Sequence, residues 1–537
     1  MFAKKEGERM SLAAWSWLFL ALYIGVMLSF GIVAQRKIKH ADDFATARGS
    51  YGPIFLALAF AASTASGATF LGGPGLSYEI GFAANYGNFL YPIGVYFGIL
   101  ISMRLIATSG NRFGNRSIPE YLGDRYQSDG IRVIVALLSL VLFFYLAGQL
   151  VSGLVMFEIM LGLPAHWALV ITTVVLLFYV VLGGAHADIL TDGVQGFMML
   201  CVAIMVVGLA LTGFGIEGGL GGMVDKLEAQ DENLVTPLNP SSALTHSWWS
   251  IIAVLFAHIP LGLLPHLGNK LWALKDTNQQ MTFVKLAFMI GLTLAMMGLA
   301  GLLARAHFGD ILFMEGNNPN ESLPRLFIEL FPTWFAALIG AGVLAAIMST
   351  ADGLVVSSSQ IIANDLYRRT FVPKFRPDLP EDELDRRVLN ISRIATVGVL
   401  LVCMALAWAL IEKNISLIVW IGTGGMMAAF AGPLVVGALW RGVTAKGAYA
   451  GLLTGFSTFL LLHTQSIDPA WFGVVGAPQG LLQTVVHWLH GEGPNPFSCA
   501  AMGEFVSVTV TVVVSKLTQR LPEEHVSAMF GEEGAAA

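Results

Sequence analysis

Long apolar blocks, separated by short polar segments, fill most of the chain from residue 12 onward. Each block is near the roughly 20 residues that an α-helix needs to cross the hydrocarbon core of a bilayer. The pattern therefore predicts an all-α membrane protein with about 13 transmembrane helices and an interfacial excursion over residues 464–499. The predicted spans are 12–34, 51–78, 82–108, 132–161, 165–184, 188–214, 247–270, 282–308, 326–362, 389–411, 414–440, 445–463 and 500–516.

Composition favours one membrane domain over a string of soluble ones. Of the 537 residues, 55% are hydrophobic and 12% are charged, whereas soluble domains carry about 25% charged residues. The three cysteines match neither a zinc-site spacing nor a closed disulfide framework. Since no His-Glu-x-x-His, paired-cysteine or glycine-rich phosphate motif occurs, an enzyme is not expected. No nucleic-acid partner is expected either.

The distribution of Lys and Arg predicts the orientation in the bilayer. Basic residues cluster in the segments 36–48, 104–132 and 368–387, whereas Lys226 is the only one between residues 215 and 247. Because basic loops stay in the cytoplasm, the N-terminus is predicted outside and the C-terminus in the cytoplasm. The expected location is the plasma membrane, the inner membrane of a bacterium, crossed many times.

Two of the predicted spans contain clustered residues that break helices. They are Gly67, Gly72, Gly73, Pro74 and Gly75 in the span 51–78, and Pro260, Gly262, Pro265 and Gly268 in the span 247–270. Interrupted helices at corresponding positions of two halves indicate an inverted-repeat transporter with its binding site at the midplane. The alternative is that Gly and Pro are simply common in membrane helices. For the second span that alternative stays open.

The first interrupted span predicts a cation site. Unwinding at residues 62–74 frees backbone carbonyls where water is absent, and a small cation such as sodium can satisfy them. Farther along, Ser349 and Thr350 place two hydroxyls in mid-span, and the carbonyl of Ala346 opens toward the same face. The alternatives are a packing seam of small residues and hydroxyls that only bond the preceding turn.

Acidic residues inside the apolar spans are a second indication that the protein binds or transports ions. Asp188, Thr191, Asp192 and Gln195 share one face at helical spacing. Asp188 is expected near the cytoplasmic interface and Asp192 about one turn deeper, so Asp192 is the better candidate for an ion pathway. Asp352 is an intramembrane carboxylate, which is costly and points to function.

Several ordered motifs together resemble the sodium/solute symporter family, which includes proline, pantothenate, sugar and sialic-acid carriers. The resemblance covers roughly residues 12–455. The motifs are Ala-Ser-x-x-Ser-Gly…Gly-x-Pro-Gly at 62–75, Ile-Pro-Glu-Tyr-Leu-Gly-Asp-Arg-Tyr at 118–126, Gly-Gly…Thr-Asp-x-x-Gln at 183–195, Pro-His at 265–266, Ala-Ala-Ile-Met-Ser-Thr at 345–350, and Gly-Pro-Leu…Leu-Trp-Arg…Gly-Ala…Gly at 432–451.

The resemblance implies a fold and a sodium site. The fold is a five-plus-five inverted-repeat core like that of the leucine transporter, with broken first and sixth core helices. The expected division is 1–50 for an extra helix and the first cytoplasmic loop, 51–440 for the core, and 441–537 for two further helices, an external loop and a short cytoplasmic tail. The implied sodium ligands are the carbonyls of Ala62, Ala65 and Ala346 and the hydroxyls of Ser349 and Thr350.

The chain departs from two patterns of that family. Proline carriers have an Asp where this chain has Thr64, and aromatic residues where it has Ala257 and Leu261, which argues against proline. Members with a second sodium site use serines just after the Ser-Thr pair, where this chain has Asp352 and Gly353. A second cation or a proton is therefore predicted between Asp192 and Asp352 instead of the intact second sodium site.

The substrate is expected beside the broken helices. Candidate lining residues are Ser63, Thr64, Ser66, Gly67, Phe70, Asn85, Tyr86, Gln149 and His258. Gln149 has an equally good alternative, a bond to a neighbouring helix, and His258 has the alternative of a satisfied core histidine. Lys270 is expected to reach the headgroups and is not assigned to substrate. A small organic anion such as a monocarboxylate, or an amino acid, is favoured.

The predicted function is sodium-coupled symport of a small organic solute by alternating access. Sodium and the solute are the expected partners in the bilayer, and a monomer or weak oligomer is expected. The alternatives are a proton-coupled carrier of the same fold and a solute-sensing membrane protein. A sensor would need a signalling module, and only about 20 residues follow the last predicted span, fewer than a folded domain needs.

Overall fold

The computed structural model describes residues 10–411, 415–474 and 476–531. The outer ends of the first and last predicted segments, residues 1–9 and 532–537, lie outside the described residues, as does the short stretch 412–414. Within the described ranges the chain is helical, and its β-structure is a single bridge between Tyr51 and Leu274. The prediction of an all-α protein is confirmed.

The helices follow one another with short connections. In the first half they are Leu12–Gln35, Ala41–Thr46, Pro53–Thr64, Ala68–Gly72, Gly73–Ile80, Phe82–Phe113, Ile118–Arg125, Asp129–Ser139, Leu142–Leu161, Ala165–Thr212 and Gly219–Gln230. In the second half they are Trp248–Ala257, Pro265–Gly268, Gln280–Ala295, Leu299–Phe308, Ser322–Leu330, Thr333–Gln360 continuing through Ile361–Phe371, Glu381–Ala409, Ile415–Phe430, Gly437–Leu439, Ala445–His463, Gly480–Gly491, Pro496–Leu517 and Glu523–Phe530.

Length and hydropathy identify the helices that can cross a bilayer. Among the described residues nine helices qualify, and two strongly bent helix pairs raise the number to as many as eleven. Large apolar side chains remain exposed on them, such as Ile394 at 71% and Leu22 at 58%, as expected for faces that contact lipid. The predicted number of about 13 spans stays a prediction.

The two bent pairs are the two spans in which helix breakers cluster. The first broken helix consists of Pro53–Thr64 and Ala68–Ile80, which meet at an angle of 62°. The second broken helix consists of Trp248–Leu263 and Pro265–Ala273, which meet at 52°. Pro265 disfavours helical geometry at Leu264, and Leu264 is extended with φ −60° and ψ 153°. The second interruption, which the sequence left open, is real.

The predicted boundary between the helices 165–184 and 188–214 is present, and one other region differs from the predicted spans. The run Ala165–Thr212 consists of two helices that meet at a kink, where Gly184 has non-helical backbone angles. Gly184 has a φ of +48°, a left-handed geometry that a residue with a Cβ rarely adopts, and Phe44 packs against it. The predicted span 326–362 is divided at Pro332, with Ser322–Leu330 before it and Thr333–Gln360 after it.

The broken helices lie inside the bundle and other helices surround them. Pro53–Thr64 packs against Ala165–Thr212 and Gln280–Ala295. The helix Phe82–Phe113 passes very close to the second broken helix, because Gly94 and Gly98 lack side chains at the crossing. A Cβ on Gly98 would lie 1.8 Å from the carbonyl oxygen of Ile259. This crossing fixes the backbone of the second broken helix where it begins to unwind.

Candidate functional site

The residues of the predicted sodium site meet where the first broken helix unwinds. The Ser349 hydroxyl donates to the carbonyls of Ala62 and Ala346, both at 3.0 Å. The Thr350 hydroxyl donates to the carbonyl of Ser63 at 3.0 Å. Ala65 ends the helical segment with φ −91° and ψ 81°, so its carbonyl is outside the regular helical ladder. All these residues are buried.

The donor set of this cluster suits sodium. It consists only of carbonyl and hydroxyl oxygens, which hard cations prefer, and it joins two helices that are distant in the sequence. One alternative was that these hydroxyls only bond the preceding turn of their own helix. The Ser349 hydroxyl does bond Ala346 in its own helix, but it also bonds Ala62 in the first broken helix. The other alternative, a packing seam of small residues, would explain why the two helices lie close together. It would not explain why carbonyl and hydroxyl oxygens of both helices meet at one point.

Gln149 supports the break instead of projecting freely into a cavity. Its Oε1 accepts a hydrogen bond of 2.9 Å from the backbone N–H of Gly67, and its side chain is fully buried. Gly67 has no room for a side chain, because a Cβ would lie 2.6 Å from Ser152 Oγ. The bond to a neighbouring helix, one of the two alternatives for Gln149, is therefore present.

We expect Gln149→Leu to lower both thermal stability and uptake. The substitution leaves the buried N–H of Gly67 without its acceptor, which costs about 1–3 kcal/mol. The matched control is Ser152→Ala in the same helix, because among the described residues the Ser152 hydroxyl donates only within its own helix, to the Gly148 carbonyl. Unfolding temperature and solute uptake in proteoliposomes measure both effects; equal behaviour of the two variants would contradict a supporting role for Gln149.

A buried ionic cluster lies next to the sodium-site residues. The carboxylates of Asp188, Asp192 and Asp352 lie within 4.8 Å of one another. Lys270 Nζ is 2.9 Å from Asp188 Oδ2 and also donates to Asp192 Oδ2. Asp352 accepts from the Thr191 hydroxyl at 3.2 Å. The residues of the predicted second cation site thus come together, with a lysine among them.

One expectation about this cluster is wrong. Lys270 was expected to reach the headgroups, but its side chain is only 3% exposed and its ammonium pairs with Asp188 and Asp192. The cause is the second break: after Pro265 the chain restarts as a helix in a new direction, and Lys270 faces the bundle interior. There each charge needs the other, since an unpaired buried charge is costly. The position of Asp188 near the cytoplasmic interface stays a prediction.

A cavity lies between the two broken helices and has an empty volume of about 800 Å³, including its open mouth. Most of its wall is apolar or aromatic, and none of the residues around it carries a formal charge at neutral pH. Its lining is Thr64, Ser66, Ala68, Thr69, Gly73, Leu76, Ile80, Ala84, Gly87, Asn88, Tyr91, Tyr145, Leu244, Thr245, Val254, His258, Leu261, Val419, Trp420, Thr423 and Phe497.

Three of the predicted substrate residues, Thr64, Ser66 and His258, line this cavity. The alternative for His258 was a core histidine with its hydrogen bonds satisfied. This holds in part, because its Nδ1 is 2.6 Å from the Val254 carbonyl oxygen of its own helix. Its ring lies 5.5 Å from that of Tyr91 and 5.3 Å from that of Phe497.

The other predicted substrate residues lie elsewhere. Ser63 contacts Asp192 and Lys270, and Gly67 is held by Gln149. Phe70 is fully buried, and Asn85 donates to Ser77 Oγ at 3.2 Å. Tyr86 is 44% exposed, its ring contacts that of Trp248, and it is not among the described residues that line the cavity.

Some of the cavity-lining residues that the sequence analysis did not select follow a recognisable sequence pattern. Ala84, Gly87, Asn88 and Tyr91 recur at positions i, i+3, i+4 and i+7 of Phe82–Phe113, which is one face of a helix. Trp420 and Thr423 show the same spacing in Ile415–Phe430. Which face points at the cavity depends on how the helices pack, so periodicity alone could not select these residues.

Comparisons with known proteins identify the family. The model of the sodium:solute symporter family matches residues 44–455. The sodium/pantothenate symporter of Escherichia coli K12 is 28% identical over 485 residues, which cover 88% of this chain and 95% of that protein. The sodium/proline symporter of Salmonella typhimurium LT2 is 28% identical over 503 residues, which cover 90% and 94%.

Solved structures agree with the fold. A substrate-bound, outward-open Na⁺-coupled sialic acid symporter superimposes with a TM-score of 0.73 at 17% identity, covering 96% of this chain and 100% of that one. The inverted-repeat fold with broken first and sixth core helices is therefore confirmed. This chain belongs to the sodium:solute symporter family: it is a multi-pass membrane protein that carries a small organic solute together with sodium, and it is not an enzyme.

Proposed function

We propose that sodium binds between the carbonyls of Ala62, Ala65 and Ala346 and the hydroxyls of Ser349 and Thr350. The observation that supports this most is the contact of the Ser349 hydroxyl with the carbonyls of Ala62 and Ala346. One side chain thereby joins the first broken helix to Thr333–Gln360 through oxygen atoms. A cation placed among these oxygens would hold the two helices together and would leave when they separate.

Coupling follows from that geometry. The sodium-site residue Ala65 and the cavity residues Thr64 and Ser66 are consecutive, so ordering the unwound segment around sodium also orders one wall of the cavity. Inward opening of the core, residues 51–440, would separate the two helices and release both ligands. One charge that crosses a potential of about 100 mV supplies about 2.3 kcal/mol for accumulation.

The proposed substrate is a small organic anion such as a monocarboxylate, or an amino acid. The cavity offers hydroxyl and amide donors at Ser66, Thr69 and Asn88, and an apolar wall that includes Trp420 and Phe497. Proline, pantothenate and sialic acid, which the named relatives carry, all contain a carboxylate. The uncharged lining suits a carboxylate that sodium partly neutralises.

A ligand screen tests the substrate class and the coupling together. Purified protein is heated with small organic acids, amino acids and sugars, with sodium and with potassium in its place. A carboxylate that raises the unfolding temperature only in sodium supports the proposal. Stabilisation by a neutral sugar alone, or equal stabilisation in potassium, would contradict it.

Asn88 provides a further prediction. Its Nδ2 is buried and has no hydrogen-bond partner among the described residues, so it is a free donor on the cavity wall. We expect Asn88→Leu to raise the KM for the solute about tenfold. The reason is that the solute would lose a hydrogen bond to Asn88, which costs about 1–3 kcal/mol. Asn278→Leu, at an exposed position, is the control; an unchanged KM in Asn88→Leu would remove Asn88 from the site.

We propose that the N-terminus is outside and the C-terminus in the cytoplasm of the inner membrane, on the strength of the basic segments 36–48, 104–132 and 368–387. We also propose a monomer or weak oligomer, and a second cation or a proton between Asp192 and Asp352. Accessibility of single cysteines at the two ends to an impermeant reagent tests the orientation.

A further inference from the structure

A lysine ammonium is enclosed by oxygen atoms in the middle of the bundle. Lys270 Nζ lies 2.5 Å from Ser63 Oγ and 2.9 Å from Asp188 Oδ2, and it donates to Asp192 Oδ2. Its side chain is 3% exposed, and that of Asp192 is fully buried. We call Ser63, Asp188 and Asp192 the lysine cage. The Lys270 ammonium at its centre is surrounded by oxygen atoms, as a bound metal cation would be.

The cage is assembled from three separate segments. Lys270 lies in Pro265–Ala273, the second half of the second broken helix. The two carboxylates lie in Gly184–Thr212, and Ser63 lies at the end of Pro53–Thr64. Buried carboxylates need a compensating positive charge. Here the chain itself supplies that charge, as a compact point charge on a flexible stem.

The lysine cage directly adjoins the proposed sodium site. The Ser63 hydroxyl belongs to the cage, while the Ser63 carbonyl accepts from Thr350 at 3.0 Å. Ala62, whose carbonyl accepts from Ser349, is the preceding residue. A positive charge in the cage is therefore held beside the sodium site by the same unwound backbone.

We propose that Lys270 is a built-in cation that occupies the lysine cage, so that the carrier binds a single sodium ion, at Ser349 and Thr350. This inference rests on the proposed function, and it assigns the place of the predicted second cation or proton, between Asp192 and Asp352, to the protein's own ammonium. Asp352, whose Oδ2 accepts from Thr191 at 3.2 Å and whose Oδ1 accepts from the Gly353 N–H at 2.9 Å, borders the cage.

Removing the ammonium should turn the cage into an ion site. A small second cavity reaches it and is lined partly by Asp188, His266, Asn269, Lys270 and Ser357. Both ring nitrogens of His266 and the Oδ1 of Asn269 are buried without a hydrogen-bond partner among the described residues. A hydrated sodium ion would thus find polar groups along the way to the vacated carboxylates.

The test counts sodium ions bound per purified protein molecule, with radioactive sodium as the only ligand. We expect one ion in the wild-type protein and two in Lys270→Met, because sodium replaces the ammonium among the carboxylates. Lys285→Met is the matched control, since Lys285 is exposed on Gln280–Ala295, and it should bind one. The triple variant Lys270→Met, Ser349→Ala, Thr350→Ala should bind one ion, in the cage.

Two sodium ions in the wild-type protein, or one in folded Lys270→Met, would overturn the inference. Where Lys270→Met does not fold, the wild-type count decides between one ion, which supports the inference, and two, which overturns it. The proposed sodium site fails separately: Ser349→Ala, Thr350→Ala would then bind as many ions as the wild type, whatever the count in Lys270→Met.

Discussion

Replacing both Ser349 and Thr350 by alanine is expected to abolish sodium-dependent uptake and sodium-dependent thermal stabilisation. Each hydroxyl contributes a polar contact to a charged ligand, worth about 1.5–3 kcal/mol. The single variants should therefore lose about 10- to 100-fold in apparent sodium affinity. In the double variant the carbonyls of Ala62 and Ser63 also lose the donors that now link them to Thr333–Gln360.

The control for this result comes from the same helix. Ser359 is buried like Ser349, but within the part of the chain that the structure describes its hydroxyl donates only to its own helix, at the carbonyl of Val356. Ser359→Ala should keep the sodium dependence of the wild type. Apparent affinity is read from uptake and from unfolding temperature as sodium is varied at constant ionic strength. A double variant with wild-type sodium dependence would exclude the proposed site.

Gly98→Ala is expected to destabilise the protein and to stop transport, although Gly98 contacts neither sodium nor the cavity. The added Cβ would lie 1.8 Å from the carbonyl oxygen of Ile259 and 2.8 Å from its carbonyl carbon. Because these atoms are backbone, no side chain can rotate away, and the second broken helix itself must shift. Overpacking of this kind costs about 1–3 kcal/mol or more.

The effect on transport follows from the position of Ile259. It directly follows His258, which lines the cavity, and precedes Pro265, after which the helix resumes toward Lys270. Gly208→Ala is the matched control, because a Cβ there meets nothing within 4 Å; it should be neutral or slightly stabilising, since alanine favours helix by about 1 kcal/mol. Equal unfolding temperatures for the two variants would contradict the close crossing.

Local sequence patterns predict the membrane character, the first break and the residues of the proposed sodium site. Hydropathy is a local property, so the apolar blocks predict helices wherever they later pack. The break near Ala65 follows from small residues and Pro74, and the motif at 345–350 made Ser349 and Thr350 its expected partners. The structure brings those hydroxyls to the carbonyls of Ala62 and Ser63, 287 residues away.

The packing of the helices determines which way the side chains near the second break point and which residues line the cavity. Lys270 turned inward because a helix that restarts after Pro265 is bent by 52°, and no local pattern gives the rotation of a restarted helix. Gln149 accepts from Gly67, and Tyr86 contacts Trp248 instead of lining the cavity. Both contacts depend on how neighbouring helices are rotated. Sequence periodicity defines the faces of a helix; the packing of the whole bundle determines which face meets sodium, solute or lipid.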